Sequence, residues 1–279
     1  MTGGLLALVA LAVALGGCSS SPSGVSTSST TTTPTTVATT TTAPTTATTV
    51  PTTAAGKLYA KVLANVSRAS SVQYVATSSG TQSGATTELR FTANVSASGG
   101  KQTASWSGDG TKGRFTIIVT GSGTYLNADA ASLATFFGAM PPANSSTYAG
   151  QWISFTSTDK LYKSLHSDIT LAAVASSLRF DPSTDHATSG GAVVISGQPL
   201  SSSTTPAGEK ASTTMTVSSQ SDLPEEQSFS ASDNGATETS SISFSDWNMA
   251  ATSTATAPSG SITWASVALA ITPTTTAAG

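Results

Sequence analysis

The chain has 279 residues, 9% of them charged, with a net charge of −3 and a single cysteine. An ordinary globular domain is roughly 25% charged, and a nucleic-acid binder needs clustered Lys and Arg to neutralise phosphates, so nucleic acid is not an expected partner. One cysteine can form neither an internal disulfide nor a cysteine-based zinc cluster.

Leu5 to Leu15 is an unbroken run of Leu, Ala and Val. At about 1.5 Å per residue it is too short to cross roughly 30 Å of hydrocarbon as a helix, and it has the length of an export-signal core. Leu15-Gly16-Gly17-Cys18 follows. It resembles the bacterial lipobox, with small residues before a cysteine whose thiol takes a diacylglyceryl group. The expectation is cleavage between Gly17 and Cys18 and lipid attachment at Cys18. Residues 1–17 then form a lipoprotein signal peptide, although Met1–Gly4 lacks the usual positive charge. From Ser19 to Ala55 the chain is nearly all Ser, Thr, Pro and Ala. That composition cannot bury enough apolar surface to offset the entropy of ordering, so residues 18–55 read as a lipidated cysteine plus a disordered tether. Extended, it would reach on the order of 100 Å. Dense Thr and Pro suit either an O-glycosylated stalk or a plain spacer.

A folded domain is expected over 56–271. "KLYAKVLANVSRAS" places Leu58, Val62 and Val66 four residues apart, an amphipathic helix. The period then changes to two. Leu89, Phe91, Ala93 and Val95 alternate with polar residues, as do Phe115, Ile117 and Val119, with turn residues in "SASGGKQ" and "SGDGTKG". "NADAASLATFFG" predicts a short helix with Leu133, Phe136 and Phe137, stopped by Gly138 and Pro141-Pro142. "GQWISF" is a strand. "STDKLYKSLHSDITLAAVASSLRF" gives two short helices, one with Leu161 and Leu165, the other with Leu171, Val174 and Leu178. Strands are expected around 193–195, 215–217, 227–229, 242–247 and 262–271, with a long polar loop over 196–211 and a disordered tail over 272–279. Helix, strands, helical insert, strands is an α+β pattern with one large antiparallel sheet.

Catalytic signals are sparse. His166 and His186 are the only histidines, and "DPSTDH" (181–186) reads as a loop, not a metal site. The chain has no Gly-x-Ser-x-Gly and no Gly-x-x-x-x-Gly-Lys. Ser157-Thr158-Asp159-Lys160 and Ser232-Asp233-Asn234 match two of three penicillin-binding-enzyme motifs, but the third needs a later lysine and the last is Lys210. Ser157 reads as a helix cap instead. No enzyme activity, metal or cofactor is expected. The four tryptophans, Trp106, Trp152, Trp247 and Trp264, are expected to pack in or on the sheet.

In order along the chain, "GTYLNADAASLATFFG", "YAGQWISFTSTDKLYKSL", "DLPEEQSFS" and "SFSDWNMAATSTATAPSG" resemble actinobacterial lipoproteins of the LppX/LprG kind. The departures are Glu225-Glu226, where members continue with apolar or basic strand residues, and the long 196–211 loop. The resemblance implies a LolA-like half-barrel: a strongly curved sheet with the N-terminal helix and short-helix insert on its concave face. It also implies a lipid, glycolipid or lipoprotein ligand, an acyl-chain cavity between sheet and helices, and anchoring to the outer face of the cytoplasmic membrane. The insert residues Leu133, Phe136, Phe137, Leu161, Leu165, Leu171, Val174 and Leu178, with Phe91, Phe115 and Ile117 of the sheet, are the candidate lining. The same residues equally suit a filled core, in which case the domain is a solid surface module contacting cell-wall polymer or an envelope protein.

Overall fold

The computed structural model describes residues 53–137, 142–189, 192–200, 210–233, 235–249 and 255–271. The signal segment, Cys18, nearly all of the tether, Gly138, Pro141 and the 272–279 tail lie outside the described residues.

The first element among the described residues is helix α1 (Ala54–Arg68), capped by Thr53, whose hydroxyl accepts from the Gly56 N–H at 3.0 Å. Five strands follow: β1 (Ser71–Gln82), β2 (Ala85–Ser96), β3 (Gly99–Gly108), β4 (Thr111–Thr120) and β5 (Gly123–Ala128). The insert comprises α2 (Ala130–Phe136), α3 (Pro142–Tyr148), β6 (Trp152–Phe155), α4 (Tyr162–Asp168) and α5 (Leu171–Ser177). The second half is β7 (Phe180–Ser189), β8 (Ala192–Pro199), β9 (Lys210–Ser218), β10 (Pro224–Asp233), β11 (Ala236–Ser245), β12 (Ile262–Thr263) and α6 (Trp264–Ile271).

Among the described residues, twelve strands join one open, curved sheet in the order β12-β6-β5-β4-β3-β2-β1-β11-β10-β9-β8-β7. Every neighbouring pair is antiparallel except β12 beside β6. This is the α+β architecture with a large curved sheet expected from the sequence. Tight turns fix the register. Ser83-Gly84 and Asp109-Gly110 both have positive φ at each residue, 52° and 82° in the first and 50° and 71° in the second. These are two-residue hairpin loops whose twist matches the strands they join.

That register lines up side chains across the inner face, where the helices pack. One transverse row holds Tyr74, Ala93, Gln102, Ile117, Leu126 and Ile153, all buried. The next holds Ala76, Phe91, Ala104, Phe115 and Ala128, extended by Ile242 of β11. Gln102 is tolerated in the first row because its Nε2 donates to the Tyr74 hydroxyl at 2.9 Å. Burial in turn raises the Tyr74 pKa above the ordinary phenol range.

Helix α1 buries Ala55, Tyr59, Val62 and Val66 against β7 and α5. Tyr59 fastens that junction. Its hydroxyl donates to the Leu178 carbonyl at 3.1 Å and accepts from the Phe180 N–H at 2.7 Å, with its ring tilted against Phe180. Of the predicted helix positions, Val62 and Val66 are buried and Leu58 is half-buried.

Several expectations change. The 262–271 run pairs for only two residues and then becomes α6, which seats Val267 in the core and stacks Trp264 on Phe155 at 5.3 Å. A short apolar run carries no periodicity that separates strand from helix, so packing decided it. "DPSTDH" is not a loop but part of edge strand β7, with an irregular register between Pro182 and His186. Polar composition and irregular pairing suit an edge that must not recruit another strand. Pro142 opens α3 instead of ending the preceding helix alone; at a first helical position its missing N–H costs no bond. Ser157 does not cap α4, whose N-cap is Leu161 without a side-chain bond. The turn before it is held by Asp159, whose Oδ2 accepts from the Thr156 N–H at 2.7 Å and hydroxyl at 3.0 Å. The 196–211 loop is shortened at both ends, since β8 runs to Pro199 and β9 starts at Lys210; residues 201–209 lie outside the described residues.

Helix α4 ends on the half-buried Asp168, whose carboxyl is lifted by desolvation from 3.8 to about 6, while the Ser167 hydroxyl pulls it back. A carboxyl with a raised folded-state pKa binds its proton more tightly when folded, so stability falls as pH rises from about 4 to about 6 and is level above. Asp168→Asn should remove that slope. Urea titrations at pH 4 and pH 7 should show the variant equal to wild type at the first and more stable at the second.

Candidate functional site

Beyond the Phe91 row, toward the hairpin turns, the inner face carries Phe229, Ser240, Ser78, Leu89, Trp106 and Gly113 across β10, β11, β1, β2, β3 and β4. These residues line a cavity of about 1080 Å³. Ligand pockets are typically roughly 300–1,000 Å³, so the space is large for a domain of this size. Its origin is legible in the row itself. The Phe91 row fills the inner face with Phe115 and Ile242, whereas this one places serine and glycine at three of six positions. The row after it includes Gly80 and Gly108, which add no side chain at all.

The apolar wall is Leu89, Trp106 and Phe229. Arg90, Lys112 and Arg114 also border the cavity, but strand alternation puts their exposed side chains on the outer face. Trp106 is fixed from behind by α2. Its Nε1–H donates to the Ser132 hydroxyl at 2.9 Å, and its ring meets Phe136 edge-on at 5.1 Å. Asp129 caps α2 by accepting from the Ser132 N–H at 2.8 Å and ties it to β4 through the Arg114 N–H at 2.7 Å. Gly113 permits that approach: a Cβ there would stand 2.5 Å from both Ser132 Oγ and Trp106 Nε1.

The predicted lining residues come together, but elsewhere. Leu133, Phe137, Leu165, Leu171, Val174 and Leu178 are buried in the core cluster with Phe91, Phe115 and Ile117, and Phe136 and Leu161 pack against it half-buried. None of the eleven lines the cavity. Phe91 and Phe115 stand two residues deeper along the same strand faces as Leu89 and Gly113, and Phe136 bridges Trp106 to Phe115. The lining residues Ser78, Leu89, Trp106, Phe229 and Ser240 were missed because a cavity is marked by small residues, which periodicity treats as neutral. Trp106 was the available signal, a large ring in the otherwise small-residue strand "QTASWSG".

The remaining tryptophans pack as expected: Trp247 donates to the Pro224 carbonyl at 2.9 Å, Trp264 stacks on Phe155, and Trp152 is half-buried in β6. Glu225 and Glu226 are exposed at the β10 bulge, away from the cavity lining. The histidines are not brought together. His166 on α4 meets Thr124 Oγ1 at 3.1 Å and stacks on Tyr162, whereas His186 is exposed on edge strand β7. Ser157 follows β6 and Ser232 lies on β10, with six strands between them. Among the described residues, no group of three His, Cys, Asp or Glu side chains could hold a metal ion. No helix among the described residues is long and apolar enough to cross a membrane.

No family model and no curated protein matches the chain. Solved structures similar to it include LprF from Mycobacterium bovis, at 15% identity and a TM-score of 0.41, covering 70% of this chain and 93% of that one. The Pseudomonas aeruginosa MucA/MucB complex is similar at 11% identity and a TM-score of 0.30, over 69% of this chain and 57% of that one. A DUF1329 family protein from Desulfovibrio piger is similar at 8% identity and a TM-score of 0.28, over 71% and 92%. Likenesses at this level carry no reading of a ligand, which rests on the cavity alone.

Proposed function

We propose that the chain is a membrane-anchored cell-envelope lipoprotein that binds or shuttles a lipid or glycolipid without covalent chemistry. The observation that carries the reading is the cavity on the inner face, walled by Leu89, Trp106 and Phe229. Burying an acyl chain there removes apolar surface from water at about 25 cal/mol per Å², and a large open space lets it enter without displacing packed side chains. Mass spectrometry of organic extracts of the purified protein should find a stoichiometric acyl lipid. An empty extract, together with no binding of a fluorescent fatty acid, would favour the solid-cored surface module. The dense packing of the insert residues supports that module for the insert half only.

The anchor rests on the sequence. Cys18 would carry the diacylglyceryl group, and the tether would hold the domain away from the membrane surface; its expected end at 55 moves back, because Thr53 caps α1 and Ala55 is buried in it. Cys18→Ser should lose all metabolic labelling by an alkyne fatty acid, because a hydroxyl does not replace the thiolate as nucleophile. Equal labelling of variant and wild type would overturn the assignment.

A further inference from the structure

The eleven Lys and Arg residues are unevenly placed. Residues 85–120, which make β2, β3 and β4, hold four basic and two acidic side chains. Residues 210–245, which make β9, β10 and β11, hold one basic and five acidic. Strand alternation puts Arg90 of β2, Lys101 of β3, and Lys112 and Arg114 of β4 on the outer face, turned away from the helices, and all four are exposed. No basic run marks this patch in the sequence; the pairing of three strands assembles it. Arg90 and Arg114 both pair across to Ser105, and Lys112 lies two residues from Arg114 in the row of Ser107 and Glu88. At about 4.8 Å between strands and about 3.4 Å per residue, the two arginine positions stand about 10 Å apart and Lys112 about 7 Å from Arg114. None of the four side chains forms an ion pair among the described residues, whereas Lys61 bonds Asp222 at 2.7 Å. Glu88 is the one acid on that face of the three strands. Asp129 beside them uses its carboxylate on the backbone N–H groups of Ser132 and Arg114. Like charges without an internal counter-charge raise the local potential and concentrate anions there.

We infer that the outer face of β2–β4 docks a linear phosphodiester polymer, with Arg90, Lys112 and Arg114 as its phosphate contacts. This does not depend on what the cavity on the opposite face holds. Arginine presents a planar fork that matches two phosphate oxygens, and Ser105 between the two arginines adds a hydroxyl donor. The spacing suits a chain with a charge at every repeat, since one small anion would reach one cation at a time. Two features favour a polymer over a membrane surface. The neutral side chains around the three cations on this face are Thr77, Thr92, Ser105, Ser107 and Thr116, so nothing apolar is there to enter a bilayer. The sheet is also curved, and a flexible chain follows a curve that a flat bilayer meets at few points.

The test uses the full chain carrying Cys18→Ser, which removes the anchor cysteine so that binding reads the folded surface. The probe is a fluorescent poly(glycerol phosphate), followed by anisotropy over a salt series. Affinity should fall steadily as salt rises, because each phosphate taken by a cation releases a counterion. Adding Arg90→Ser/Arg114→Ser should weaken binding about ten-fold at low salt and make the salt dependence shallower. The melting temperature should not change, because both side chains are exposed. The control Lys160→Ser/Lys163→Ser removes the same charge from around the start of α4 and should bind like the parent. Polymer affinity unchanged by the arginine substitutions, or lowered equally by the control, overturns the patch. No binding of the polymer by the parent at low salt overturns it as well. Binding to phosphatidylglycerol vesicles in place of the polymer, lost with the two arginines, overturns the polymer and makes the face a membrane contact.

Discussion

Phe137→Ala should lower the free energy of unfolding by about 3–5 kcal/mol, while Phe136→Ala should cost distinctly less, about 1–2 kcal/mol. The two rings are adjacent in sequence but differ in surroundings. Phe137 is fully buried and meets Phe115 edge-on at 5.4 Å, so its removal leaves a hole that the packed insert cannot close. Phe136 is half-buried and backs Trp106, so truncation loses less contact but frees the cavity wall to move. Chemical denaturation of both delipidated variants measures the first effect. A fluorescent fatty-acid titration measures the second, where Phe136→Ala should change affinity and Phe137→Ala should act on stability alone. Equal destabilisation by both would show that Phe136 belongs to the same packed core.

The second large effect is functional. Ser78→Phe puts a ring into the cavity row beside Leu89 and opposite Ser240, where the structure has space. Filling an existing void avoids the strain that overpacking a closed core brings, so the unliganded variant should melt at the wild-type temperature. Its response to ligand should vanish. At a lipid concentration of 100 Kd, binding stabilises wild type by about 2.7 kcal/mol, and the variant should gain none of this. A Ser78→Phe protein that is still stabilised by lipid would move the binding site away from this row. Differential scanning calorimetry with and without the fatty-acid probe reads both quantities.

Much of the molecule was written in its residues. Helix α1 with Leu58, Val62 and Val66 on one face, the alternation of β2 and β4, and the Asp109-Gly110 turn follow from local chemistry, periodicity and turn conformation, whereas the Thr53 and Asp129 caps were read only from the structure. The single Cys18 after an apolar run, and the Thr/Pro tether, rest on sequence alone because no fold is needed to read them. Tertiary structure decided the rest. Whether "ITWASVALAI" extends as a strand or turns into α6 depended on where Val267 and Trp264 could be buried. The position of the cavity depended on register across six strands. Leu89 and Phe91 look equivalent along β2, two large residues on one face. Only the pairing of Leu89 with Ser78 and Trp106, and of Ser78 with Ser240, gathers small residues from distant segments into one row. A void is the absence of side chains contributed by several strands at once, and no single stretch of sequence records it.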